Sequence, residues 1–221
     1  MTVLLVLVFF AALITLDYAV TRRRIARRAA ALAAAPIPPI EPAWVAGYQM
    51  PEMLFYHRGH TWARPLDAHT VVVGVDDFAR RLIGPAATLK APARGDWVHQ
   101  GGRGFALKLD GKVAELVSPV EGEVLEINPD VLQRPALATD DPYGRGWVVK
   151  VRSQRLASNL RNLLSGRLAR KWMEDSREAL DLRLMALSGS VLQDGGEPAS
   201  DFARHLAPDD WQRLTSEFFL T

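Results

Sequence analysis

Three hydrophobic textures succeed one another along the chain. The first is an uninterrupted apolar run. Residues 2–16, TVLLVLVFFAALITL, contain no charged side chain. Asp17, Tyr18, Ala19 and Val20 follow, and then come Arg22, Arg23, Arg24, Arg27 and Arg28. As a helix, residues 2–20 would span roughly 28 Å, close to the hydrocarbon thickness of a bilayer. Asp17 and Tyr18 would then sit at the interface, where a polar tip is tolerated. Nothing in the run is amphipathic, which argues against a helix half-buried on a protein core. A cleaved signal peptide carries its positive charge ahead of the apolar run, whereas these arginines come after it. The pattern therefore predicts a transmembrane anchor over residues 1–21. The N-terminus would lie outside, and the folded part in the cytoplasm at the inner membrane. The five arginines would meet anionic lipid head groups. Residues 22–35 are alanine-rich and continue as a helix. Four prolines in PIPPIEP, residues 36–42, then make a stiff spacer, so a basic helix and linker together fill residues 22–43.

The second texture is β. Residues 70–75, 105–109, 112–117, 122–127 and 147–151 are short runs of β-branched and apolar residues separated by Gly, Pro, Asp and Asn. Such spacing predicts a small sandwich or barrel, here over residues 44–152. Asp110-Gly111 between two alternating runs predicts a two-residue hairpin turn. Residues 77–82 form a short helical turn among the strands.

The third texture has a helical period. Leu156, Leu160, Leu164, Leu168 and Trp172 recur every four residues and predict one amphipathic helix. A second helical stretch covers residues 177–187, and Gly195-Gly196 is a break. Pro208 opens a last helix, with Asp209 and Asp210 at the positive end of its dipole. Trp211, Leu214, Phe218 and Phe219 form its apolar side. Residues 153–221 are thus a helical extension, whose stripes pack on the β domain or dock a partner. Because the β core is drawn from residues 71–151, removal of residues 208–221 is expected to leave the β domain folded.

Composition narrows the function classes. The 221 residues are 48% hydrophobic and 24% charged, ordinary for a globular chain. With no cysteine, disulfides, thiol nucleophiles and Cys-based metal sites are excluded. The five histidines, His57, His60, His69, His99 and His205, show no metal-ligand spacing. The net charge is +2, but residues 1–35 alone contribute +4, so the remainder sums to −2 and offers no nucleic-acid surface. His60 and Trp62 read as a strand-start pair packing on the core, and residues 141–144 as a turn positioning Trp147. Residues 194–197 (DGGE) lack the Lys-Ser/Thr of a phosphate loop. No Ser/His/Asp order or paired carboxylate set suggests an enzyme.

Five motifs in order carry a resemblance. They are Gly59-His60-Thr61-Trp62, then residues 73–79 (VGVDDFA), then Pro92-Ala93-Arg94-Gly95 with Val98. Residues 118–124 (SPVEGEV) with Asn128, and residues 141–147 (DPYGRGW), complete the series. Across residues 54–151 the chain resembles the H protein of the glycine cleavage system. The resemblance implies a lipoyl-domain fold, a barrel-sandwich hybrid of two small antiparallel sheets. It also implies a carrier: lipoate on a hairpin lysine takes an aminomethyl group from a pyridoxal enzyme, hands it to a folate-dependent transferase, and is reoxidised by a flavoprotein. The fold class is therefore mainly β with α extensions, a transmembrane helix ahead and a helical segment behind.

The acceptor position departs from the pattern. In the family the lysine stands eight residues before the Ser-Pro proline and nineteen after the Pro-x-x-Gly proline. Both counts, from Pro119 and from Pro92, land on Gly111. Lys112 is one residue late, and in a strand that shift reverses side-chain direction. Lys108 lies further off. Lys112 is accordingly a solvated hairpin lysine, a displaced lipoyl lysine, or a lysine that takes some other acyl group. The residues themselves require no cofactor; the resemblance brings lipoate. Two functions follow from the sequence. One is a membrane-anchored, non-lipoylated binding or assembly module whose protein partner the sequence does not name. The other is a working lipoyl carrier acylated on Lys112.

Overall fold

In the computed structural model, strands form where the β-branched alternation lies. The structure describes residues 10, 13–24, 27, 41–188 and 206–220. Two compact units are present, Met1–Pro38 and Pro39–Thr221. In the first, residues 13–24 are helical. Among the described residues no helix is long and apolar enough to cross a membrane. Most of the 2–16 run lies outside the described residues, as do the proline-rich spacer to residue 40 and the Gly195-Gly196 break.

In the second unit β1 (Trp44–Val45) and β2 (Tyr48–Gln49) make a short ribbon. A six-stranded sheet and a three-stranded sheet follow, and every pairing is antiparallel. The larger contains β3 (Phe55–Tyr56), β4 (Thr61–Pro65), β5 (Thr70–Val75), β11 (Val149–Arg152), β10 (Gly122–Ile127) and β7 (Trp97–Val98), in that order across the sheet. The smaller runs β6 (Thr88–Lys90), β8 (Arg103–Leu109), β9 (Lys112–Val117). Val71, Val72, Val73 and Val75 are all buried, so β5 is covered on both faces. This is the mainly β arrangement with helical extensions that the sequence predicts.

Helix α1 (Asp77–Ile83) begins at Asp76, whose side chain accepts from Ala79 N at 2.8 Å. Helices α2 (Pro129–Gln133) and α3 (Leu137–Asp140) lead into the 141–144 turn. That turn buries Tyr143, whose hydroxyl accepts from Asp77 N at 2.9 Å and donates to Gln49 O at 2.6 Å. Burial pushes this phenol well above its ordinary range, so it stays a neutral hydroxyl that both donates and accepts. The turn thus places Tyr143 at the core, beyond the role of positioning Trp147.

The helical extension corrects two expectations. The leucine spacing predicts one helix through Trp172, but α4 (Leu156–Arg161) ends and α5 (Gly166–Ser188) starts afresh. Between them Leu164 pairs with β3: its N–H donates to Tyr56 O and its C=O accepts from Tyr56 N, both at 2.8 Å. The open edge of the sheet captures this peptide and interrupts the helical ladder. Leu168, the next residue in the stripe, is exposed as a result. Residues 177–187 are not a separate stretch but lie within α5.

The second correction concerns α6 (Pro208–Phe219). Trp211, Leu214, Phe218 and Phe219 are buried, as their spacing predicts. They pack on the β domain, one of the two arrangements expected, and what changes is that they reach its core. The Phe218 ring lies 5.2 Å from Phe78, and Phe219 meets His60 edge-on at 6.1 Å. Gly59 is the close approach that admits this end of the helix, since a Cβ there would stand 2.6 Å from Phe219 O. Arg183 of α5 holds Glu217 with a bidentate pair at 2.8–3.0 Å. The core therefore extends beyond residue 151, and removal of residues 208–221 would open it. Phe219→Ala should destabilise the folded unit by about 3–5 kcal/mol, read as a lower denaturant midpoint at unchanged slope. A wild-type midpoint would show that α6 is not part of the core.

Candidate functional site

Hairpin β8–β9 is built around a two-residue turn. Asp110 and Gly111 have φ of 46° and 78°, the paired positive values of a type I′ turn, and Leu109 faces Lys112 across it. Asp tolerates the left-handed region and Gly enters it freely. The remaining register follows from that turn. Leu107 and Leu109 of β8 are buried, and so are Ala114 and Leu116 of β9. Lys112 therefore falls on the same side of β9 as Ala114 and Leu116, with Val113 on the other.

Gly111 lies at the exposed tip. A Cβ built there would meet nothing within 4 Å, so the space is open, but the position offers no amine to acylate. Lys112 is half-buried and engaged. Its Nζ donates to Leu206 O at 2.7 Å and stands 5.5 Å from the ring centroid of Trp211. The Trp211 indole N–H donates to Val113 O at 3.1 Å, on the outer edge of β9. Lys108 is exposed and pairs across the hairpin with Val113. Between the hairpin and α6 runs a cleft of about 550 Å³, with Lys112 and Gly111 on one wall and Trp211 and Thr215 on the other.

The sequence motifs around His60 belong to the core. His60 is buried with φ of 58°, its ring stacked on Phe78 at 3.9 Å and 4.7 Å from Trp172 of α5. Its Nδ1 lies 2.8 Å from Asp76 Oδ2. The Trp62 indole donates to Val75 O at 2.7 Å. Among the described residues no group of His, Asp or Glu could hold a metal ion. The spacing of residues singled out Lys112 and Gly111; it missed Leu206 and Trp211 as the partners of Lys112. Trp211 was visible only as one residue of an apolar stripe, and a backbone carbonyl carries no sequence signal at all.

Residues 54–176 match the family model described as glycine cleavage H-protein, which covers more than half of the chain. The chain belongs to the glycine cleavage H-protein family. The match reaches beyond the β domain, through α4 and into α5. A probable glycine cleavage system H protein of Thermococcus gammatolerans is 33% identical over 130 residues, 59% of this chain and 96% of that protein. The glycine cleavage system H protein of Carboxydothermus hydrogenoformans is 33% identical over 129 residues, 58% and 98% of the two chains. A crystal structure of the H protein from Mycobacterium marinum is 27% identical, with a TM-score of 0.44, covering 48% of this chain and 87% of that one. H-protein family members carry lipoate and have no catalytic activity of their own. The acceptor residues here do not fit that group: the tip is a glycine, and the neighbouring ammonium is bound to Leu206 O.

The turn that starts β4 is built on a histidine that accepts a hydrogen bond. Gly59 N donates to His57 Nδ1 at 3.0 Å, which requires the neutral ring. Burial, with His60 and Arg58 nearby, holds His57 below the ordinary histidine range. A base whose folded pKa is depressed costs no stability above its unfolded pKa, and stability is lost as pH falls through the folded value. The denaturant midpoint should therefore drop as pH falls below the ordinary histidine range, about 6.5, and His57→Gln should flatten that dependence. An identical slope in wild type and His57→Gln would exclude His57 as the source.

Proposed function

We propose that this H-protein-family chain is a membrane-anchored binding or assembly module that carries no lipoyl group. The observation that carries the reading is the state of the hairpin. Gly111 occupies the turn tip, and Lys112 is fastened to Leu206 O beneath Trp211. A ligase that reads tip geometry finds no amine at the tip. The adjacent lysine leaves the turn on the opposite side and is partly covered by α6. The family match otherwise spans residues 54–176, and the surface of that domain, without the arm, is taken as the docking face. The protein partner is set by that surface together with α6.

Purified lipoate ligase, even in excess, should leave the wild-type chain unmodified. Gly111→Lys should become an acceptor, because a side chain at this position projects into open space; its positive φ would cost roughly 1–2 kcal/mol. Intact mass reads both results. Efficient acylation of wild-type Lys112 would instead support the second reading, a working lipoyl carrier.

The anchoring half of the proposal is supported by the apolar 2–16 run and the arginines that follow it. Residues 1–21 cross the inner membrane with the N-terminus outside, Arg22, Arg23, Arg24, Arg27 and Arg28 lie at anionic head groups, and the folded unit is cytoplasmic. A reporter fused after Thr221 should be active only in the form that works inside the cell. Alkaline-phosphatase activity from that fusion would contradict the orientation.

A further inference from the structure

Lys112 does more than occupy the wrong position. Its Nζ reaches Leu206, 94 residues away in sequence, and the Trp211 indole returns to Val113, 98 residues away. Two adjacent residues of β9 thus grip the start of α6, one through an ammonium and one through a backbone carbonyl. That start needs holding. Ala207, its N-cap residue, makes no side-chain capping bond, and Pro208 donates no N–H. Leu206 O lies ahead of the helix, and among the described residues the Lys112 ammonium is the donor it accepts from. The far end of α6 is held independently, by Phe218 and Phe219 against Phe78 and His60.

We propose that Lys112 is a latch for α6, so that closure of the helix start and acylation of this amine exclude one another. The inference deepens the reading of the hairpin as unacylated by naming what guards the amine next to its tip. Acylation would need an activated acyl donor, such as an adenylate, a thioester or an active ester. The ammonium first gives one proton to solvent. The Nζ lone pair then bonds to the donor's carbonyl carbon, the leaving group departs with its electron pair, and a second proton leaves nitrogen. The product amide is neutral, keeps a single N–H, and places the acyl chain where Leu206 and Trp211 now sit. Closing α6 therefore shields the amine, and modifying the amine releases the start of α6 while the Phe218–Phe219 end stays seated.

Competitive labelling tests this on the full chain in detergent, with a small acetyl active ester in place of a ligase, so the latch and the absence of lipoylation fail separately. Peptide mass spectrometry compares Lys112 with Lys108, the exposed lysine of the same hairpin. Lys112 should acetylate about tenfold more slowly, the factor a charge-assisted hydrogen bond supplies. Lys112→Met, which keeps the stem and removes the ammonium, should speed hydrogen exchange at residues 211–215 by a similar factor and leave the sheet amides unchanged. Lys112→Arg, which restores a cationic donor, should recover protection. Equal labelling of Lys112 and Lys108, or wild-type exchange at residues 211–215 in Lys112→Met, would overturn the latch.

Discussion

His60 and Asp76 are the pair on which the helical side of the molecule depends. Both side chains are buried, and the two Asp76 oxygens divide their work. One caps α1 through Ala79 N, and the other lies 2.8 Å from His60 Nδ1. A buried carboxylate or imidazole without a partner is costly, so each residue holds the other in place. The histidine ring so fixed becomes the floor for three helices: Phe78 of α1 stacks on it, Trp172 of α5 tilts against it, and Phe219 of α6 meets its edge. Its left-handed backbone, φ 58°, turns the chain sharply enough for Gly59 to pass under Phe219.

From that floor α6 runs back along β9 to the hairpin. One end is seated in the core and the other is gripped by Lys112 and Val113. A sheet edge left open would invite pairing with another chain, and a helix lying along β9 removes that hazard. The same helix lies beside the Asp110-Gly111 turn. Edge protection and the covering of Lys112 are therefore one structural fact.

Much of the fold was legible in the residues. Asp110-Gly111 announced the two-residue turn, and the gap-free counts from Pro92 and Pro119 placed Gly111 at its tip. The runs at 70–75, 112–117 and 122–127 became β5, β9 and β10 with those bounds. Pro208 and its acids marked the start of α6. What was not legible is long-range backbone chemistry. The leucine spacing continues through residues 162–165, yet Leu164 gives its peptide to Tyr56 because a sheet edge waits there. Lys112 finds Leu206 through a carbonyl that every residue possesses. Trp211 read as one more apolar residue of a stripe, although its indole nitrogen reaches the edge of β9.

The chain keeps an H-protein-family domain from Leu54 through the first turns of α5, with Gly111 at the tip of its β8–β9 hairpin. On the proposed reading, a carrier fold without an acceptor would act through its shape and surface, by binding. Mass analysis of the hairpin peptide, from protein isolated out of its own cells, tests that account most directly. The account predicts a single unmodified species at both Lys108 and Lys112. A lipoyl adduct on Lys112 in a substantial fraction of the molecules would contradict it.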